Sequence, residues 1–164
     1  MARASGTTNL SAIIINLASH PGSIFQITGL FAFLALFIVT IAENKRIPVD
    51  NPSTHLELTM VHEAMILEYS GRQLALIEWA SSLKLTIFFT LLANIFFPLG
   101  LASAFTLEAV ATAILLFIIK ILLFAFVVSL LESSIAKLRL FRLPDFLSVA
   151  FALALIALVS SFFI

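Results

Sequence analysis

Three carboxylates, Glu57, Glu63 and Glu68, stand within one twelve-residue stretch whose other members include Leu58, Met60, Val61, Met65, Ile66 and Leu67. A segment this apolar packs against something, and its acids are then at least partly withdrawn from water. Burial and like-charge neighbours both raise carboxyl pKa values, which is what proton exchange near neutral pH requires. Glu57 and Glu68 are eleven residues apart, so on a helix of 3.6 residues per turn they return to nearly the same face. Glu63 points elsewhere, within reach of a shared cavity.

A local helix would position these groups. Thr54 followed by Glu57 makes a capping box, and the helix would run to about Tyr69, with Ser70-Gly71 as its stop. As a cap alone, Glu57 would contribute about 1 kcal/mol. Upstream, Pro48 and Pro52 push their predecessors into extended geometry, so residues 47–52 are not helical throughout. His62-Glu63 lacks the second histidine of a zinc-protease helix, because Ile66 stands where it belongs. His55 and His62 without a third convergent ligand do not make a metal set.

The wider stretch 43–73 holds Glu43, Asp50 and the three glutamates, five of the nine acids in the chain, together with Lys45, Arg46 and Arg72. It lies between apolar walls. The chain of 164 residues is 62% hydrophobic and 11% charged, too little polar surface for a soluble domain, and reads as an integral membrane protein. We expect an all-α membrane helical bundle forming one domain over 1–164. It would have an interfacial helix at 9–19, since a span needs about 20 apolar residues, and four transmembrane helices at 23–42, 74–101, 105–131 and 145–164. The early apolar run is followed by His20-Pro21 rather than small residues, so no cleavable signal is expected.

The connections 43–73 and 132–144 fall on one side of such a bundle. They carry Lys45, Arg46, Arg72, Lys137, Arg139 and Arg142, whereas 102–106 has no Lys or Arg. The positive-inside rule therefore makes both loops cytoplasmic, in a multi-pass protein of the cell membrane. Zero formal net charge argues against nucleic acid. With no cysteine, the chain holds neither a disulfide nor an iron–sulfur cluster of its own.

Lys84 and Lys120 lie inside apolar runs, about ten and fifteen residues from the starts of their spans. An ionised side chain at that depth costs roughly 2.5–3.5 kcal/mol on the gentler insertion scale. Each is therefore expected to face the bundle interior and a carboxylate or water, with snorkelling to an interface the simpler account for Lys84. In the 132–144 loop, Leu138, Leu140, Phe141 and Leu143 between the basic residues suit a protein partner.

The pattern Glu43-x-x-Arg46-x-Pro48-x-Asp50, with Glu57-Leu58 and Glu68-Tyr69-Ser70-Gly71 after it, resembles the membrane heel subunit of respiratory complex I. The longer string PVDNPSTHLELTMVHEAMILEYSGRQLALIEWASSLKL is more similar to the equivalent subunit of group 4 membrane-bound [NiFe] hydrogenases, of formate-hydrogenlyase and hydrogenase-4 type. The tail ESSIAKLRLFRLPDFL shares that likeness. Val49 stands where complex I proteins have an aromatic residue, and His55 where they have a glutamate. Both departures favour the hydrogenase branch over a quinone pocket. The resemblance covers the C-terminal half of such subunits.

What the resemblance implies is a non-catalytic coupling subunit of an oxidoreductase complex, holding no cofactor itself. The hydrogenase large and small subunits, carrying the NiFe centre and iron–sulfur clusters, would dock on its cytoplasmic face. Antiporter-like membrane subunits and the N-terminal half of the same subunit would be its neighbours in the bilayer. Glu43, Arg46 and Asp50 would sit at the junction with the redox arm. Glu57, Glu63, Glu68, Lys84 and Lys120 would form the proton path. The alternatives are a quinone-site membrane subunit, a stand-alone cation/proton transporter, or a passive membrane anchor.

Overall fold

Long apolar runs interrupted by proline, glycine and charged residues dictate helices with short breaks, and the computed structural model has that form. It describes residues 6–19, 26–44, 46, 68–101, 106–135 and 143–162, and among these every regular element is an α-helix. In chain order they are α1 (Leu10–Ser19), α2 (Ile27–Glu43), α3 (Arg72–Phe96), α4 (Leu107–Ser134) and α5 (Leu143–Ser160).

The helix ends have local causes. Asn9 Oδ1 accepts from the Ser11 backbone N–H at 3.1 Å and opens α1. Thr106 Oγ1 accepts from the Ala109 N–H at 3.3 Å, and Glu108 lies in the first turn of α4, where a negative charge suits the helix dipole. At the end of α3, Pro98 forces Phe97 out of helical geometry, to φ −130° and ψ 67°. The helix thus stops at Phe96, five residues short of the expected 101. Gly100 follows at φ +75°, and a Cβ there would lie 2.5 Å from Leu116 Cδ1, so glycine lets the turn close onto α4. At the other end of α4 the helix continues through Ser134, taking in Glu132, which was read as the start of a loop.

α3 (25 residues) and α4 (28 residues) are long and apolar enough to cross a membrane, and α1, α2 and α5 are shorter apolar helices. α5 packs along α2, where its buried residues are the small Ala150 and Ala157, which permit close approach. Ser160 Oγ donates to Thr28 Oγ1 at 3.1 Å, joining the end of α5 to the start of α2. α3 packs on α2, α4 and α1. The core gathers Ile13 and Leu17 of α1, Phe89, Leu92, Ala93 and Phe96 of α3, and Phe124 and Val128 of α4. Phe33 of α2 lies at its centre, with its ring 5.2 Å from Phe96, 5.8 Å from Phe97 and 6.4 Å from Phe124. Offset and edge-on aromatic pairs of this kind hold helices in register as well as together.

Candidate functional site

Four of the ten charged residues that the structure describes, Glu43, Arg46, Lys84 and Glu132, gather where α2 ends. Glu43, the last residue of α2, receives the Lys84 ammonium from α3. Lys84 Nζ lies 2.6 Å from Glu43 Oε1 and also donates to the Glu43 backbone carbonyl at 3.0 Å. The lysine therefore both pairs with the carboxylate and satisfies a carbonyl at the helix C-terminus, where the dipole favours a cation. Three residues on, the Arg46 N–H closes onto Ile41 O at 3.0 Å, which folds the chain back on the end of α2. Arg46 Nη1 then reaches Glu132 Oε1 of α4 at 3.4 Å. Two acids and two bases thus link α2, α3 and α4 with no net charge.

Both pairs are partly exposed, with side-chain exposures of 45% and 53% for Lys84 and Glu43, and 42% and 25% for Arg46 and Glu132. Ion pairs in water contribute about 0.2–1 kcal/mol each, so their importance is where they put charge rather than how much they stabilise.

Register decides the level of this cluster. Phe33 meets Phe96 and Glu43 meets Lys84, so α2 and α3 run antiparallel. The first twelve residues of α3, 72–83, extend past the end of α2 by about 18 Å at 1.5 Å per residue. Counting from the start of the apolar run placed Lys84 deep within it. Packing places Lys84 level with the terminal residue of α2, beside the charged connection. Glu132 joins that level through Arg46, near the end of α4.

Of the other residues singled out in the sequence, Glu68 is exposed in the turn before α3. Asp50, Glu57 and Glu63 lie outside the described residues, as do Pro48, His55, His62 and residues 54–67 of the helix expected to run to Tyr69, while Glu68 and Tyr69 themselves are not helical. Lys120 is partly buried in α4, and its Nζ donates to Leu99 O at 2.5 Å. It lines a groove of about 250 Å³ with Asn94, Leu99, Ala113, Ile114 and Phe117. Lys120 and Glu132 are twelve positions apart on α4, about 18 Å along the axis, so the structure does not bring Lys120 to the cluster that holds Lys84. Among the described residues, no group of three or more His, Cys, Asp or Glu side chains is placed to hold a metal ion.

Sequence reasoning missed Glu132 and Asn94 as site residues. The available signals were a single acid at the edge of an otherwise basic connection, and an amide inside an apolar helix.

Comparison with known proteins agrees with the geometry of a membrane subunit. A family model for NADH dehydrogenase matches residues 1–162. Formate hydrogenlyase subunit 4 of Escherichia coli K12 is 30% identical over 159 residues, covering 97% of this chain and 50% of that protein. Hydrogenase-4 component C of the same organism is 30% identical over 157 residues, covering 96% of this chain and 48% of that protein. The chain thus spans about half the length of these relatives. No solved structure matches it. With its apolar helices and these relatives, the chain belongs to the NADH dehydrogenase family, as a membrane protein of the complex I-like, group 4 hydrogenase branch.

Proposed function

We propose that this chain is part of the membrane subunit of an energy-converting, complex I-like hydrogenase, in which it couples electron transfer in a docked redox arm to proton or ion movement in the membrane. In this reading α2, α3, α4 and α5 all cross the bilayer, and the connections 43–73 and 132–144 face the cytoplasm. The large and small hydrogenase subunits, with the NiFe centre and iron–sulfur clusters, dock there, and antiporter-like subunits lie alongside in the membrane. This chain performs no redox step. Glu43, Arg46 and Asp50 form the junction, and Glu57, Glu63, Glu68, Lys84 and Lys120 carry charge inward.

The observation that supports this reading is the contact between Glu43 and Lys84. It ties a junction residue to a path residue in one ion pair. Coupling of this kind needs the two groups to share a charge, which an anchor does not. The test uses the assembled complex in inverted vesicles. Lys84→Met and Glu68→Gln should lower the ions moved per hydrogen turned over while the complex still assembles and turns over. An unchanged ratio in both variants would favour the passive anchor.

The NADH dehydrogenase family match supports a second reading, a quinone-site membrane subunit. Quinone-dependent turnover lost on substitution of Arg46 would establish it. Ion flux through the isolated chain in vesicles would instead indicate a stand-alone transporter.

A further inference from the structure

From Leu85 to Phe96 the polar residues of α3 are Thr86, Thr90 and Asn94, each four positions after the last, and Ser82 continues the row one step earlier. Residues four apart on a helix share a face, so these side chains make one polar row, about 18 Å long, through an apolar helix. The hydroxyls of the row are not free donors. Ser82 Oγ donates to Glu78 O at 3.1 Å, Thr86 Oγ1 to Ser82 O at 2.9 Å, and Thr90 Oγ1 to Thr86 O at 2.8 Å. A hydroxyl has one proton and two lone pairs. With the proton bound to the preceding turn, each offers its surroundings an acceptor.

The fold does not seal this row. Ser82 and Thr86 are exposed, and Thr90 and Asn94 are half-buried. At one end stands the exposed Glu78, four positions before Ser82. At the other, Asn94 lines the groove of about 250 Å³ with Lys120, where the ammonium and the Leu99 carbonyl provide polar partners for water. Polar groups of a spanning helix face the bundle interior or a water-filled cavity. Acceptors that lead from a carboxylate into a polar groove of this size select water.

We propose that Ser82, Thr86, Thr90 and Asn94 line a water file along α3 that solvates a monovalent cation and joins the Glu78 end of the helix to the groove at Lys120. The inference rests on the proposed ion-coupling role and on α3 crossing the membrane, and it adds uncharged residues that form the wall of the path.

The chain has no cysteine, so an introduced thiol is its one reactive site. Ser82→Cys, Thr86→Cys, Thr90→Cys and Asn94→Cys are made in the intact complex, with Leu83→Cys and Ile87→Cys on the neighbouring apolar face. Inverted vesicles receive a membrane-impermeant, positively charged methanethiosulfonate, and labelling of this chain is read by mass spectrometry. The row should label about tenfold faster than positions 83 and 87, where a charged reagent would have to enter lipid. It should also label faster with the cationic reagent than with an anionic one of similar size. An unlabelled row, equal labelling at 83 and 87, or no preference for the cationic reagent would overturn the proposal. A second arm keeps side-chain shape and removes the acceptors. Thr86→Val with Thr90→Val should slow labelling in Asn94→Cys about fivefold, whereas Thr86→Ser with Thr90→Ser should keep most of the rate. Equal rates in the two would contradict the file. Labelling needs no turnover, so a normal ion ratio in Lys84→Met would remove the coupling role and not the water file.

Discussion

Lys84 of α3 binds Glu43 of α2 twice, once at the carboxylate, 2.6 Å away, and once at the backbone carbonyl, 3.0 Å away. One side chain therefore fixes both the charge and the last turn of α2. The contact joins residues 41 positions apart, across the most highly charged connection in the chain.

The second pair should show modest, measurable coupling. Arg46→Ala and Glu132→Ala, alone and together, should give a double-mutant interaction energy of about 0.2–1 kcal/mol by thermal unfolding in detergent. Additive effects would mean that the 3.4 Å contact contributes no stability.

Gly100 should resist any side chain. Its φ of +75° and the position of Leu116 Cδ1 penalise a Cβ twice over. Gly100→Ala should cost about 1–3 kcal/mol, and Leu116→Ala in the same chain should recover the steric part. A Gly100→Ala protein with unchanged melting temperature would contradict the turn described here.

Leu92 is fully buried in the core of α1, α3 and α4. Leu92→Ala should destabilise by about 2–5 kcal/mol, visible as a lower midpoint of thermal unfolding. A change in ion coupling at unchanged stability would instead put Leu92 in the functional path.

In the connection itself, Glu57→Gln and Glu68→Gln should each reduce ion translocation by several-fold while hydrogenase subunits remain bound, as read by co-purification and by a pH-sensitive dye in vesicles. Normal coupled turnover in both variants would remove these carboxylates from the path.

Much of the architecture was legible because its causes are local. Apolar runs marked out the helices, Pro98 and Gly100 marked the break after α3, and the motif around Glu43 and Arg46 pointed to the family. The level of Lys84 was not legible. Depth counted along one helix assumes where that helix enters the membrane, whereas the register is set by Phe33 packing on Phe96 and Phe97 from another helix. Glu132 escaped notice for a similar reason, since its partner Arg46 is 86 positions away. The amide of Asn94 gains meaning only once α4 lays Lys120 along the same groove.

The most direct measurement is the number of ions moved per hydrogen turned over in inverted vesicles when the Glu43 and Lys84 charges are exchanged. Glu43→Lys and Lys84→Glu alone should each depress that ratio, and the two together should restore most of it, because the pair and not either charge is what couples. A double exchange no better than the single variants, or single variants indistinguishable from the parent, would contradict the account.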